Sequence, residues 1–194
     1  PREFEMVGVN CLKGLPSRQA EGPFAFEYNG NYYLTYPYVR NNTEVIGYAM
    51  SKNPMGPYEY KGIIMAEHEN GCWTNHHSIV NYKGQWYFFY HHNAYSPHFD
   101  KNRSAQIEKL YFNEDGTIQE IKPTLRGVGP VKASHKVQID RYSCIDGAAI
   151  EYLDTTDYFK GWKTVFAKAG DKVCFNEVNV GKKAPKTAVV CVKA

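Results

Sequence analysis

The sequence predicts an all-β fold built from repeated strand units. Three observations support this prediction: a repeat, a high content of aromatic residues, and almost no helical periodicity. The repeat aligns FEYNGNYYLTY, starting at Phe26, with VNYKGQWYFFY, starting at Val80, an offset of 54 residues. The 194 residues include 16 Tyr and 10 Phe, and aromatic side chains favour half-buried pleated surfaces. Repeats of this length are typical of β-propellers, in which each blade has four strands.

Each copy of the repeat is predicted to form four antiparallel strands. Its first two strands are joined by Asn29-Gly30 or by Lys83-Gly84, and Asn-Gly suits the positive φ of tight hairpin turns. The strands are predicted at Phe24–Tyr28, Tyr32–Pro37, Glu44–Ser51 and Tyr58–Met65, then at Ile79–Tyr82, Gln85–Tyr90, Ser104–Phe112 and Thr117–Ile121. Two blades cannot close a ring, so we expect the other blades upstream. A β-sandwich with two similar hairpins is the alternative.

Composition excludes several classes of protein. A net charge of +3 with no dense Lys/Arg run does not indicate nucleic-acid binding, and no stretch of 18 apolar residues is present. The chain lacks an initiating Met, so we interpret it as a piece of a longer protein. Its five cysteines, at positions 11, 72, 144, 174 and 191, form no CxxC motif. We expect buried thiols in preference to a disulfide.

The repeat also places candidate site residues. Glu21 aligns with Asn75, and Gly22 aligns with His76. Both pairs precede the first strand of a blade, the strand nearest the propeller axis, where propellers commonly bind ligands. Gly22 permits close approach of the backbone, and Pro23 fixes φ and removes a donor. We therefore predict that the Glu21 carboxylate lies at the mouth of the central channel.

Several motifs now carry a family resemblance. EGPF before YNGNYYLTYP, then GPYEYKG, NHHSIVNYKGQWYFFYH and KNRSAQIEKLYFNEDGTI, resemble glycoside hydrolase family 43 over about residues 1–130. The resemblance implies the last blades of a five-bladed β-propeller that cleaves β-xylosides, α-L-arabinofuranosides and related links of plant-wall polysaccharides. The expected partners are xylo- or arabino-oligosaccharides and arabinoxylan-type polysaccharides, with neither nucleic acid nor membrane. The expected location of the whole protein is secreted or periplasmic.

The resemblance also implies roles for single residues. Glu21 matches the general acid, and Arg103 matches an arginine that contacts the sugar. His76 matches the axial histidine that often binds a calcium ion or an ordered water, although the chemistry itself requires no cofactor. The family's general-base Asp and the Asp that tunes the acid lie on earlier blades. Neither Asp100 nor Asp115 replaces them, so we expect the 194-residue piece alone to be inactive.

An inverting glycosidase explains why these groups are needed. One carboxylic acid protonates the leaving oxygen while a carboxylate roughly 6.5–9.5 Å away activates water. The acid must keep its proton near neutral pH, which requires burial or a neighbouring carboxylate. Trp73 and Asn75 are candidate substrate-binding residues. Trp73 offers a face for sugar stacking, or it is a structural residue of a loop.

A cluster of histidines raises the alternative of a zinc site. His76, His77, His91, His92 and His98 lie within 23 residues, but their spacing matches no zinc motif. Adjacent residues on a strand point to opposite faces. We therefore expect His76 to face the axis and His77 to pack the other way.

The character of the sequence changes after Gly127, Gly129 and Pro130. We predict a propeller part at 1–130, a linker at 131–136, and a second domain at 137–194. GW, NEVNVG and TAVVCVKA in that domain resemble the start of a family 6-type carbohydrate-binding module, an incomplete β-sandwich here. Its Trp162 is either a core residue or a ligand platform. The alternative for the whole protein is a non-catalytic carbohydrate-binding propeller.

Overall fold

A computed structural model describes residues 12–14, 21–68, 73–93, 103–157, 160–183 and 186–192. These residues form β-strands and no α-helix, which confirms the all-β prediction. They divide into two compact units, Pro1–Pro123 and Thr124–Ala194. Within the described residues, no helix has the length and apolarity that crossing a membrane requires.

The first unit begins with five strands, β1 Leu12–Lys13, β2 Phe24–Tyr28, β3 Asn31–Arg40, β4 Thr43–Ser51 and β5 Tyr58–Met65. They form one sheet in the order β1-β5-β4-β3-β2. Strand β1 pairs in parallel with β5, and the other neighbours are antiparallel. The turn between β2 and β3 has φ 50° at Asn29 and φ 68° at Gly30, as the predicted hairpin requires. Strands β2 to β5 confirm all four strands predicted for the first repeat.

The second repeat forms a three-stranded sheet of β6 His77–Tyr82, β7 Gln85–His92 and β8 Ser104–Leu110, in that order. Its first turn again has positive φ, 52° at Lys83 and 82° at Gly84. The fourth strand predicted at Thr117–Ile121 is wrong. Only an isolated bridge joins Phe112 to Ile118.

The missing strand has a physical cause in the hydrogen bonds of residues 117–121. The amide of Ile118 donates to the hydroxyl of Tyr48 at 3.0 Å, and the amide of Ile121 donates to the carbonyl of Ile64 at 2.7 Å. Both partners belong to the first sheet. The side chains of Ile118 and Ile121 are buried in the core that the two sheets share. The segment therefore closes over that core instead of extending the second sheet.

The shared core explains the aromatic composition. Phe26 stacks on Tyr33 with ring centroids 4.6 Å apart and lies 5.3 Å from Trp86 of the second sheet. Tyr28 stacks on Phe112 at 4.2 Å. Such pairs stabilise a fold by about 0.5–1.5 kcal/mol each beyond the burial of their area. The packing holds the two sheets together, and so it sets the relative positions of their strand ends.

In its described residues the second unit has six short strands, β9 Val131–Lys132, β10 Cys144–Asp146, β11 Ala149–Tyr152, β12 Trp162–Val165, β13 Lys172–Cys174 and β14 Val178–Asn179. They form three two-stranded sheets. Strand β9 pairs in parallel with β14, whereas β10 pairs with β13 and β11 pairs with β12 in antiparallel ladders. The expected linker at 131–136 therefore begins with a strand of this unit. Trp162 stacks on Tyr152, with ring centroids 4.2 Å apart.

Two cysteines form a disulfide, which corrects the expectation of buried thiols. The register of β10 on β13 places Cys144 opposite Cys174, with a Cα–Cα distance of 5.0 Å that suits the bond. Cys191 has a free thiol, but it is exposed. Cys11 and Cys72 lie outside the described residues.

Candidate functional site

The candidate site lies where strand ends of the two sheets meet. The entrance to β2 supplies Glu21 and Gly22, and the start of β4 supplies Glu44. Residues 73–76, just before β6, approach both of them. The amide of Glu21 donates to the carbonyl of Pro37 at 3.2 Å. This bond ties the entrance segment to the neighbouring strand β3.

Gly22 is required by close contact with a ring. Its φ is +49°, which L side chains rarely adopt, and a Cβ built there would lie 2.6 Å from Cε1 of His76. Real carbon contacts do not become that short, so the imidazole occupies the space that a side chain would need. The expected close approach of the backbone at Gly22 is therefore confirmed, and the group that approaches is His76.

His76 and His77 point to opposite faces, as alternation on a strand predicts. Nε2 of His76 lies 3.6 Å from Oε2 of Glu21. His77 hydrogen-bonds through Nε2 to the hydroxyl of Thr35, and its ring stacks on Phe88. Burial lowers the pKa of His77 to about 3, so this imidazole is neutral near pH 7. His77 joins the two sheets, whereas His76 faces the carboxylate.

Glu44 is a buried carboxyl that the sequence reasoning missed. It is 3% exposed, and its Oε2 accepts a hydrogen bond of 2.6 Å from the amide of Asn75. Burial raises the pKa of Glu44 well above its ordinary value, and a hydrogen bond with Glu21 raises it further. The Asn75 amide and the charge of Arg103 act in the opposite direction. The sequence does carry a signal, because Glu44 directly precedes the apolar run Val45–Met50 of a predicted strand, and such a continuous run is typical of a strand that is buried on both faces.

Asn75 and Trp73 flank this carboxyl. Asn75 is completely buried, and its side-chain amide has no hydrogen-bond partner among the described residues. Trp73 is 37% exposed, and its carbonyl accepts a hydrogen bond of 3.3 Å from the amide of Glu44. Trp73 thus presents apolar surface beside the pair of carboxyls, whereas the predicted substrate contact of Asn75 has no exposed surface.

His91 and Arg103 complete the cluster. Nε2 of His91 accepts a hydrogen bond of 3.0 Å from the amide of His76, so the neutral imidazole carries its proton on Nδ1. The rings of His91 and His76 stack at 6.1 Å. Burial, and next the charge of Arg103, lower the pKa of His91 to about 4. Arg103 is exposed just before β8, close enough to both Glu44 and His91 to affect them electrostatically.

The metal expectations can be tested on donor chemistry. Within the described ranges, the group of donors that could hold an ion is Glu21, Glu44 and His76, whose ligand atoms all lie within 4.8 Å of one another. This group contains one histidine, so it does not support a zinc ion held by several of the histidines between positions 76 and 98. His98 itself lies outside the described residues. Calcium takes six to eight oxygen ligands. The group offers two carboxyls and one nitrogen, and these do not complete such a shell by themselves.

Asp115 does not join the cluster. Asp115 is in the turn between Phe112 and Ile118, where one carboxylate oxygen accepts hydrogen bonds from the amide and hydroxyl of Thr117. It serves the turn, as predicted. Asp100 lies outside the described residues.

The two sheets bring a pair of carboxyls, an imidazole and a guanidinium together at their strand ends, an arrangement suited to acid–base chemistry. Comparison with known proteins identifies the family. Residues 9–118 match the model for glycosyl hydrolases family 43. Because this match covers more than half of the chain, the protein belongs to that family, and its first unit supplies part of a five-bladed β-propeller.

Individual relatives agree with the family match. A β-xylosidase of Xylanibacter ruminicola is 39% identical over 107 residues, which are 55% of this chain and 32% of that protein. An arabinoxylan arabinofuranohydrolase of Paenibacillus polymyxa is 34% identical over 128 residues, covering 56% of this chain and 20% of its own. A solved glycoside hydrolase superposes with a TM-score of 0.51 at 28% identity, covering 79% of this chain and 37% of its own. The chain thus spans between 20% and 37% of the length of these relatives.

Proposed function

We propose that the whole protein is an inverting glycoside hydrolase that acts on hemicellulose, of the β-xylosidase or α-L-arabinofuranosidase type, with Glu21 as general acid. The observation that carries the proposal is the Glu21 carboxyl at the entrance of β2, within 4.8 Å of the carboxyl of the buried Glu44 and 3.6 Å from His76. Family membership and relatives named as xylosidase or arabinofuranohydrolase support the substrate class.

In this mechanism the carboxylic acid of Glu21 donates its proton to the glycosidic oxygen as the bond to the anomeric carbon breaks. The leaving group departs as a neutral alcohol, and Glu21 becomes a carboxylate. On the opposite face of the sugar the oxygen of a water molecule bonds to the anomeric carbon, while a second carboxylate removes a proton from that water. Arg103 holds sugar hydroxyls through its fixed donors, and Trp73 offers an apolar face for stacking. Asn75 supports the site from its buried position.

The general base and the aspartate that tunes the acid are proposed to come from other blades, because residues 1–194 show no counterpart of either motif. Residues 1–194 alone are therefore proposed to be inactive. No step is routed through a calcium ion, since the three donors around His76 do not make its shell by themselves.

The second unit is proposed to be the start of a carbohydrate-binding module, from residue 137 onward after the segment 131–136. The stacked pair of Tyr152 and Trp162 is its candidate aromatic platform. The Cys144–Cys174 disulfide supports secretion or a periplasmic location, because disulfides persist in oxidising compartments.

The test replaces the acid in the whole protein by Glu21→Gln. General acid assistance is worth about 10²–10⁴-fold, so hydrolysis of xylo- or arabino-oligosaccharides should fall within that range. A nitrophenyl xyloside or arabinofuranoside needs little protonation as it departs, and it should lose much less. Wild-type rates on the two nitrophenyl substrates distinguish the activities: faster cleavage of the xyloside indicates a β-xylosidase, and faster cleavage of the arabinofuranoside indicates an α-L-arabinofuranosidase.

Equal losses on natural and activated substrates would contradict the acid role of Glu21. Oligosaccharide binding without hydrolysis by the wild-type whole protein would favour the non-catalytic alternative. Turnover by residues 1–194 alone would show that the base lies within this chain.

A further inference from the structure

Glu44 is held in place from two sides by the segment that precedes β6. Its backbone amide donates to the carbonyl of Trp73 at 3.3 Å, and its Oε2 accepts from the amide of Asn75 at 2.6 Å. The side chain is almost completely buried. The position of its carboxyl is therefore set by the backbone, whereas the side chain of Glu21 is 62% exposed and has no comparable anchor in the described structure.

A proton stabilises the contact between the two carboxyls. One carboxyl oxygen of Glu21 lies within 4.8 Å of one of Glu44. Two ionised carboxylates that close repel each other, whereas a proton on either one allows a hydrogen bond between them, because an ionised carboxylate only accepts hydrogen bonds. The charged or titratable groups that face this pair are His76, 3.6 Å from Glu21, and Arg103, which acts on Glu44.

A purely structural role would not need a carboxyl at this position. The bond to the Asn75 amide requires only an acceptor, which a glutamine supplies equally well. Burying an ionisable group next to Val45 and Ile46, which are 0% exposed, costs free energy unless the group is paired. Besides the Asn75 amide, the carboxyl of Glu21 lies beside it, within 4.8 Å.

We propose that Glu44 is a positioning residue for the general acid, which holds the Glu21 carboxyl at the entrance of β2 through a hydrogen bond that contains a proton. The inference rests on the proposed function of Glu21. Glu44 touches neither sugar nor water in this role, and it acts only through Glu21.

The test is Glu44→Gln in the whole protein, with Glu59→Gln as the matched control. The introduced glutamine has the same shape and still accepts from Asn75, but its amide donates to Glu21 and so favours the carboxylate form of the acid. Misplacing a catalytic group by about 1 Å costs about 10²-fold. We expect a loss of about 10–100-fold on oligosaccharides, little loss on nitrophenyl glycosides, and an unchanged unfolding midpoint. Glu59 is exposed and paired with Lys61 on β5, so its variant should match the wild type.

The double variant separates positioning from a general structural effect. Because Glu44 acts through Glu21, adding Glu44→Gln to Glu21→Gln should cause no further loss, whereas independent effects would multiply. A multiplied loss, or a Glu44→Gln variant with wild-type activity on both substrates, would overturn the inference. If the loss of activity caused by Glu21→Gln does not depend on the leaving group, the proposed acid role of Glu21 itself fails. That outcome is distinguishable from a failure of the positioning role of Glu44, which leaves the result for Glu21→Gln unchanged. A lowered unfolding midpoint with equal losses on both substrates would assign Glu44 a structural role and also overturn the inference.

Discussion

Replacing Gly22 by alanine should displace His76 from the candidate site. The added Cβ would lie 2.6 Å from Cε1 and 2.7 Å from Nδ1 of the imidazole. Ordinary van der Waals contact begins at 3.4 Å, so the ring must move by roughly 1 Å, or the backbone at the entrance of β2 must shift by as much. Either movement changes the distance between His76 and Glu21.

The size of the effect has two parts. A non-glycine residue at φ +49° costs about 1–3 kcal/mol of backbone strain. A displacement of about 1 Å in a catalytic arrangement costs about 10²-fold in rate. We therefore expect Gly22→Ala to lower the free energy of unfolding by about 1–3 kcal/mol and to lower activity by about 10²-fold.

Gly30→Ala is the matched control, because Gly30 has a φ of +68° and nothing within 4 Å of its built Cβ. The backbone strain in Gly30→Ala should lower the free energy of unfolding measured in urea, but the whole protein should retain its activity. Equal losses of activity in the two variants would contradict a displacement of His76. So would a Gly22→Ala variant that unfolds like the wild type and keeps full activity.

Two further predictions concern stability. His68 is 3% exposed, and burial lowers its pKa to about 3, below the value of about 6.5 in an unfolded chain. The contribution of neutral His68 to the free energy of unfolding is therefore complete above pH 6.5. As the pH falls toward 3 this contribution is lost, and the free energy of unfolding decreases by up to about 1.4 kcal/mol per pH unit. Urea unfolding at pH 7.5 and 5.5 should show a smaller pH dependence for His68→Phe than for the wild type; an equal dependence would contradict the assignment. In the second unit, Cys144→Ser with Cys174→Ser opens a loop of 30 residues and should lower its stability by about 3–4 kcal/mol. A reducing agent should destabilise the wild type equally and the double variant no further, as measured by calorimetry; a further loss in the variant would argue against the bond.

The local part of the fold could be predicted because its signals are short-range. A turn such as Asn29-Gly30 sets the register of the hairpin within a few residues, and aromatic residues mark the flanking strands. All strands of the first repeat and three of the second follow from these signals. The segment at Thr117–Ile121 carries a similar strand pattern, but its amides bond to Tyr48 and Ile64, more than 50 residues earlier. A local sequence pattern does not indicate that these distant partners compete with strand pairing for the amides of the segment.

The candidate site divides in the same way. The sequence by itself determined that Glu21, Gly22 and His76 occupy equivalent strand entrances, because the repeat aligns them, and the motif around Arg103 indicated a neighbouring strand. Only the tertiary structure decided that Glu44 and His91 belong with them, because each reaches the site through a contact with a residue distant in the chain. A hydrogen bond between Glu44 and the Asn75 amide spans 31 residues. It exists because the packed aromatic core brings the start of β4 to the segment before β6, and local propensity carries no information about that distance.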